Sequence, residues 1–290
     1  MIDWRRKGEW LELTAAREPS DMKDAEALLP ECFKGKWFAK WHRSGGIEWK
    51  GTRIRLRLFP EEPLHYMSDW AEVEVLFEDD FCLVANKPSG MKVHPTQEGE
   101  RGTLQQAVQW HLEGSGQTCR ARHIHRLDED TTGPVLFAKN EWSQTRLDAF
   151  MRDKRIGRHY VALVQGRPAN AEGIVDAPIG RDRHHATRRR VSRTGEPAVT
   201  RYQVIERYRS AALLRLMLET GRTHQIRVHM SYLGHPLIGD TLYGGEARGV
   251  ERQALHGEKL LFPHPLTEES IEVGAPWPSD FAGLSERLKK

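Results

Sequence analysis

The sequence is compatible with an α+β protein, and three observations bear on that reading. Strand-length apolar runs recur from residue 73 onward, helical patterns between them are few, and a Trp-rich N-terminal stretch is set off by a Pro-rich segment. At 290 residues the chain can hold one large or two modest domains. Apolar residues make up 38% and charged residues 29%, a soluble composition with no run approaching the ~20 apolar residues of a membrane span. The start, Met1-Ile2-Asp3-Trp4-Arg5-Arg6-Lys7, lacks the apolar core of a signal peptide. Cys32, Cys82 and Cys119 are few and far apart, which suits a reducing compartment and excludes a paired-cysteine zinc site. A cytoplasmic protein without membrane attachment is expected.

Residues 1–70 hold six of the nine Trp and form the first expected module. Two short helices are expected between Asp21 and Trp41, broken at Pro30. After Gly45-Gly46, Ile47-Glu48-Trp49-Lys50 and Arg53-Ile54-Arg55-Leu56-Arg57-Leu58 read as a hairpin. Its second run alternates strictly, with three Arg on one face and three aliphatics on the other. Pro60-Glu61-Glu62-Pro63 is the expected linker, with a boundary near residue 70 and a second domain over 71–290.

That second domain opens with strand runs at Val73–Phe77 and Phe81–Ala85. A turn-rich Asn86–Pro95 segment and a helix over Thr103–Leu112 follow. Next comes His125-Arg126-Leu127-Asp128-Glu129-Asp130-Thr131-Thr132-Gly133, leading into the apolar strand Pro134–Ala138. A helix near Glu141–Lys154, a strand His159–Gly166, and strands near Thr200–Glu206 and Ala211–Leu218 complete the middle. Thr223 is the expected cap of a helix running to Tyr232, with Gly234 closing it.

The Asp-rich loop admits three readings. As a calcium loop it needs a bidentate Glu at the twelfth position, where Lys139 would repel the metal. As a turn, its Asp and Thr simply cap the chain before a strand. As a catalytic loop, it displays a carboxylate held ionised by a neighbouring guanidinium. The 14 His show no metal-ligand spacing, and no phosphate-cradling glycine motif occurs, so neither metal nor nucleotide cofactor is expected. Net charge is only +3, but cations cluster. Eight Lys/Arg stand between Phe33 and Arg57 against Glu48 alone, and Arg181, Arg183, Arg188, Arg189, Arg190 and Arg193 stand against Asp182 alone. Such clusters suit a phosphate backbone, although a solvated face has the same composition.

His-Arg-Leu-Asp followed by Asp-Thr-Thr-Gly resembles the active-site loop of the RluA-type pseudouridine synthases. The related small-subunit type has Gly in place of His125. The resemblance extends in order through Lys87-Pro88-Ser89-Gly90, Tyr160, Gly221-Arg222-Thr223-His224-Gln225-Ile226-Arg227, Gly239-Asp240-Thr241-Leu242-Tyr243-Gly244 and Leu255-His256 to His264-Pro265, with Arg158 standing where Lys is more usual. It implies a mixed, largely antiparallel sheet with peripheral helices and an RNA cleft across its middle. It also implies isomerisation of uridine to pseudouridine in ribosomal or transfer RNA, which needs no cofactor or metal.

By the same resemblance Asp128 is the catalytic carboxylate, Arg227 its ion-pair partner and Tyr160 the residue stacking on uracil. His125, Arg126, Arg222 and His224 are expected RNA contacts near the site. Arg188, Arg189 and Arg190, and Arg53, Arg55 and Arg57, are expected to bind phosphates further out. The N-terminal layout resembles a ribosomal-protein-S-four-type RNA-binding module. The partner implied is structured RNA and the working unit a monomer; a catalytically silent RNA-binding protein of the same fold is the alternative.

Overall fold

The computed structural model describes residues 3–62 and 68–290. The N-terminal part begins with a hairpin, β1 (Trp4–Lys7) and β2 (Trp10–Thr14), that sequence patterning did not anticipate. Helix α1 (Met22–Leu28) is capped by the Asp21 side chain, a 3-10 turn follows Pro30, and α2 spans Lys36–Arg43. The expected hairpin is present as β3 (Ile47–Lys50) and β4 (Arg53–Leu56). All four strands join one antiparallel sheet in the order β1-β2-β4-β3. Its apolar face shares a core with Phe81, Trp142 and Leu266 of the later chain. Phe33 stacks on Trp142 at 5.0 Å, and the indole N–H of Trp142 donates to Cys32 O at 3.0 Å. The module is therefore welded to its neighbour by buried aromatic surface. The expected linker runs into residues 63–67, outside the described residues.

The next unit is a four-stranded antiparallel sheet, β5 (Glu74–Glu78), β6 (Cys82–Lys87), β7 (Arg122–His123) and β8 (Gly133–Ala138), in the order β5-β6-β8-β7. Helix α3 (Leu104–Gly114) opens with a capping box between Thr103 and Gln106, and α4 (Glu141–Arg152) with the Asn140 side chain. Strands β9 (Gly157–Gln165) and β10 (Glu172–Asp176) come next, then a small hairpin, β11 (Ile179–Arg181) and β12 (Arg189–Val191). Strands β13 (Val199–Arg207) and β14 (Ala211–Leu218) lead to α5 (Gln225–Tyr232). The chain ends with β15 (Leu255–Pro263), β16 (Ser270–Gly274) and α6 (Ser279–Lys289). The large sheet runs β10-β13-β14-β9-β15-β16, all antiparallel.

The two sheets meet where β8 begins beside β15. There Thr132 pairs in parallel with His256, and Gly257 N donates to Thr132 O at 2.8 Å. The mixed character expected of the sheet is confined to this seam among the described residues. Gly133, at φ +127°, faces Gly257 so closely that a Cβ on Gly133 would sit 2.5 Å from Gly257 O. No L side chain fits there, which explains the Gly ending the Asp-rich loop better than a simple turn does. Among the described residues no helix is long and apolar enough to cross a membrane.

Candidate active site

A cleft of about 500 Å³ opens at this seam. It is lined by the Asp128 loop, the start of β9, the end of β14 and the N-terminal turn of α5. The loop is held by its own backbone. Lys87, almost fully buried, donates from Nζ to Glu129 O at 2.6 Å, Met91 O at 2.6 Å and Pro88 O at 2.7 Å. Arg252 Nη1 donates to Asp130 O at 3.1 Å, while its Nε and Nη2 grip Asp280. Gln253 Nε2 donates to Thr131 Oγ1, and Thr132 Oγ1 pairs with His256 Nδ1 at 2.8 Å. Buried cations satisfying loop carbonyls leave the Asp128 side chain as the group turned into the cleft. The cost of placing those charges in the interior is offset only because each has several acceptors. Burial still pulls the Lys87 ammonium down to about 7, against the raising effect of Asp130 and Asp128.

Asp128 meets Arg227 as expected, with Nη1 3.3 Å from Oδ2. The stronger grip on Arg227 was not anticipated. Its Nε and Nη2 reach Asp240 at 2.7 and 2.9 Å, and Asp240 is 2% exposed. Burial works to lower the Arg227 pKa, but the Asp240 and Asp128 carboxylates outweigh it and raise it. The guanidinium also lies 5.0 Å from the centre of the Tyr243 ring. The sequence signal for Asp240 and Tyr243 was the Gly239–Gly244 motif, which names no partner by itself.

His224, rather than Thr223, occupies the cap position of α5, in the left-handed region at φ 58°. A Thr there would be strained, being β-branched. The helix ends as expected at Gly234, whose N–H and that of His235 close a Schellman motif on Ser231 and Met230. Tyr243 OH accepts the Arg189 N–H at 2.9 Å and lies 2.8 Å from His224 Nδ1. The order that satisfies all three groups has the phenol donating to Nδ1, leaving His224 Nε2–H 4.0 Å from Asp128 Oδ2. Burial lowers the His224 pKa, opposed by Asp128.

Tyr160 stands on β9 with its ring buried at the cleft floor, and burial raises its phenol pKa. Arg126 is exposed on the cleft wall and makes no hydrogen bond or ion pair among the described residues. Arg222 is partly committed, donating to Pro197 O and pairing with Glu196.

Several of the expected RNA contacts are engaged within the protein itself. His125 is buried, with Nε2 accepting the Leu136 N–H at 3.2 Å, so it braces the loop against β8, while its Nδ1 has no partner among the described residues. Arg55 and Arg57 are not free phosphate hooks: Arg55 pairs with Glu48 and Glu12, and Arg57 with Glu9. Glu12 lies on β2 and Glu9 beside it, outside the stretch over which charge was counted, whereas Glu48 on β3 is the one acid within it. Arg188 is likewise held by Asp182 at 2.7 Å. Arg53 and Arg190 stay exposed and without such partners among the described residues.

The cleft is strongly cationic: Arg126, Arg152, Lys154, Arg158, Arg222 and Arg227 line it against Asp128 and Glu219. Such a lining favours a polyanion. Comparison with known proteins agrees. A profile of RNA pseudouridylate synthases matches residues 81–232. A Bacillus subtilis (strain 168) protein named uncharacterized RNA pseudouridine synthase YhcT is 44% identical over 98% of this chain and 95% of its own length. The ribosomal large subunit pseudouridine synthase D of Vibrio parahaemolyticus is 42% identical over 83% of this chain and 78% of its own. The solved structure of human RNA pseudouridylate synthase domain containing 4 superposes with a TM-score of 0.62 at 27% identity, covering 74% of this chain and 92% of that one.

Proposed function

The chain belongs to the RluA-type RNA pseudouridine synthases, isomerases that act on RNA, and from that premise we propose that it modifies ribosomal RNA of the large subunit, with Asp128 as the catalytic carboxylate. The observation that carries the site assignment is Asp128 held 3.3 Å from Arg227 on the floor of a cationic cleft. The isomerisation breaks the bond between uracil N1 and ribose C1′, turns the base while it stays bound, and joins C5 to C1′. N1 gains a proton and C5 loses one, so no redox equivalent or group donor enters. Arg227 Nη1, 3.3 Å from Oδ2, gives the Asp128 carboxylate a fixed counter-charge on the cleft floor. Tyr160 packs against the uracil, and its phenol, kept neutral by burial, can relay the C5 proton.

The target uridine has to leave its stack, at roughly a few kcal/mol. Arg126, exposed and without an ion-pair partner, is the side chain we assign to the opened strand. Arg53 and Arg190 add salt-dependent affinity further out, Arg53 from an N-terminal module that we read as RNA-binding. We read the working unit as a cytoplasmic monomer.

Asp128→Asn tests the reading. The variant is expected to lose pseudouridine formation on large-subunit ribosomal RNA transcripts by at least about a thousandfold, the order seen on losing a catalytic side chain. RNA affinity should stay within a few-fold. Turnover retained in the variant would reject Asp128. Mapping pseudouridines in cells with and without the gene identifies the RNA; sites lost from transfer RNA instead would reject the ribosomal assignment.

A further inference from the structure

Arg158 stands two residues before Tyr160 on β9, so the two side chains share a face of the strand roughly 7 Å apart. Both line the cleft. Arg158 is only 9% exposed, yet its one hydrogen bond among the described residues is Nη2 to Thr220 O, at 3.3 Å. Its Nε is buried with no partner. Both acids of the cleft are taken by other cations, Asp128 by Arg227 and Glu219 by Arg201 and Lys154. A guanidinium cannot shed its proton, and a buried charge without a counterion costs several kcal/mol. Every other buried Arg near this seam has a carboxylate: Arg227 has Asp240 and Arg252 has Asp280. Arg158 is the exception, and it lines the cleft where substrate enters.

We propose that Arg158 is a phosphate receptor, binding a phosphate that flanks the extruded uridine. This rests on the reading that the cleft admits a flipped nucleotide. Uracil and ribose are neutral, so phosphate is the anion such a nucleotide brings. The separation of Arg158 from Tyr160 is of the same order as that between a nucleobase and its own phosphate. A guanidinium fork offers two parallel donors to a phosphate, which fixes orientation as well as position. Anchoring the phosphate holds the sugar while the base is detached and turned. Gly221 keeps the approach open: a Cβ there would lie 2.6 Å from Arg158 Nη1.

The test is the salt dependence of binding to a dodecamer of uridine, followed by fluorescence anisotropy. Neutralising one phosphate contact on a single strand changes the slope of log K against log salt by about 0.7. Arg158→Gln should flatten the slope by that amount, and Arg158→Lys should restore most of it. Gly221→Ala, which keeps the charge but displaces the guanidinium, should flatten it as Arg158→Gln does and supplies the answer if that variant does not fold. An unchanged slope in a folded Arg158→Gln or Gly221→Ala protein overturns the proposal. Pseudouridine formation by the wild-type chain on ribosomal transcripts is measured in parallel. If it occurs while the slopes do not move, the phosphate contact alone is rejected; if it never occurs, the reading beneath it is rejected as well.

Discussion

Arg227 and Asp240 form a two-pronged ion pair, Nε to Oδ2 at 2.7 Å and Nη2 to Oδ1 at 2.9 Å, and only the remaining Nη1 is offered to Asp128. Asp240 therefore aims the arginine, and the arginine sets the direction of Asp128. Asp240→Asn keeps the shape but removes the charge that fixes the fork. We expect kcat to fall about a hundredfold, the order reached by a 1 Å misplacement at a reacting centre, with KM little changed. Asp240→Ala should in addition lose about 3–5 kcal/mol of stability, as expected when one member of a buried pair is deleted. Single-turnover kinetics and denaturant unfolding separate the two effects. An Asp240→Asn enzyme with wild-type kcat would mean that Asp128 needs no such alignment.

The seam between the sheets gives a second expectation. Gly133→Ala places a methyl 2.5 Å from Gly257 O at a φ of +127°. Backbone strain of about 1–3 kcal/mol and a similar overpacking cost should add to roughly 2–5 kcal/mol, read by chemical denaturation. Gly90→Ala is the control, since it has positive φ but open space around it. It should cost only the backbone part.

Much of this was legible in the sequence because the information was local. Strict alternation in Arg53–Leu58 and the apolar run before Lys139 gave strands β4 and β8, and the apolar spacing of Leu104, Ala107, Val108 and Leu112 marked a helix. The Asp128 loop and the Arg227 motif could be recognised one at a time and their meeting inferred. What stayed hidden depends on distance along the chain. That Glu9 and Glu12 pair with Arg57 and Arg55, or that Lys87 and Arg252 hold the carbonyls of Glu129 and Asp130, is decided by folding. Hairpin β1–β2 escaped because its strands are only four and five residues long, and three of the four residues of β1 are charged. His224 taking the cap from Thr223 reflects the tertiary pull of Tyr243 on its ring.

A third prediction concerns acid. Burial drives the His125 pKa down to about 3 and that of His123 to about 4, from an ordinary 6.5. In the unfolded chain both rings take up a proton near pH 6.5, while in the fold they resist it. The unfolded state thus binds more protons between these values, so stability is full above about pH 6.5 and is lost as pH falls towards 4 and 3. His125 should account for a few kcal/mol of that loss. His125→Gln, which keeps an acceptor for the Leu136 N–H, should flatten the difference in unfolding free energy between pH 7 and pH 5. A variant with the wild-type slope over that interval would show that His125 is not the group resisting protonation.

The outer cations make a last, discriminating case. Arg188 and Arg190 differ by two positions, and charge alone cannot rank them. In the fold Arg188 Nη2 lies 2.7 Å from Asp182, itself buried, so its charge is already balanced within the protein. Arg190, on β12, is exposed and lies within ion-pair distance of no carboxylate among the described residues, although Asp182 also feels its charge. Counterion release follows the charge presented to RNA rather than the number of arginines. Arg190→Gln should therefore weaken binding to a ribosomal RNA fragment and flatten its salt slope by about 0.7–0.9. Arg188→Gln should leave the slope alone while loosening the 182–188 loop, seen as faster proteolysis there. Equal slopes in the two variants would mean that the hairpin acts as a diffuse positive surface, in which the Asp182 pair has no consequence for RNA.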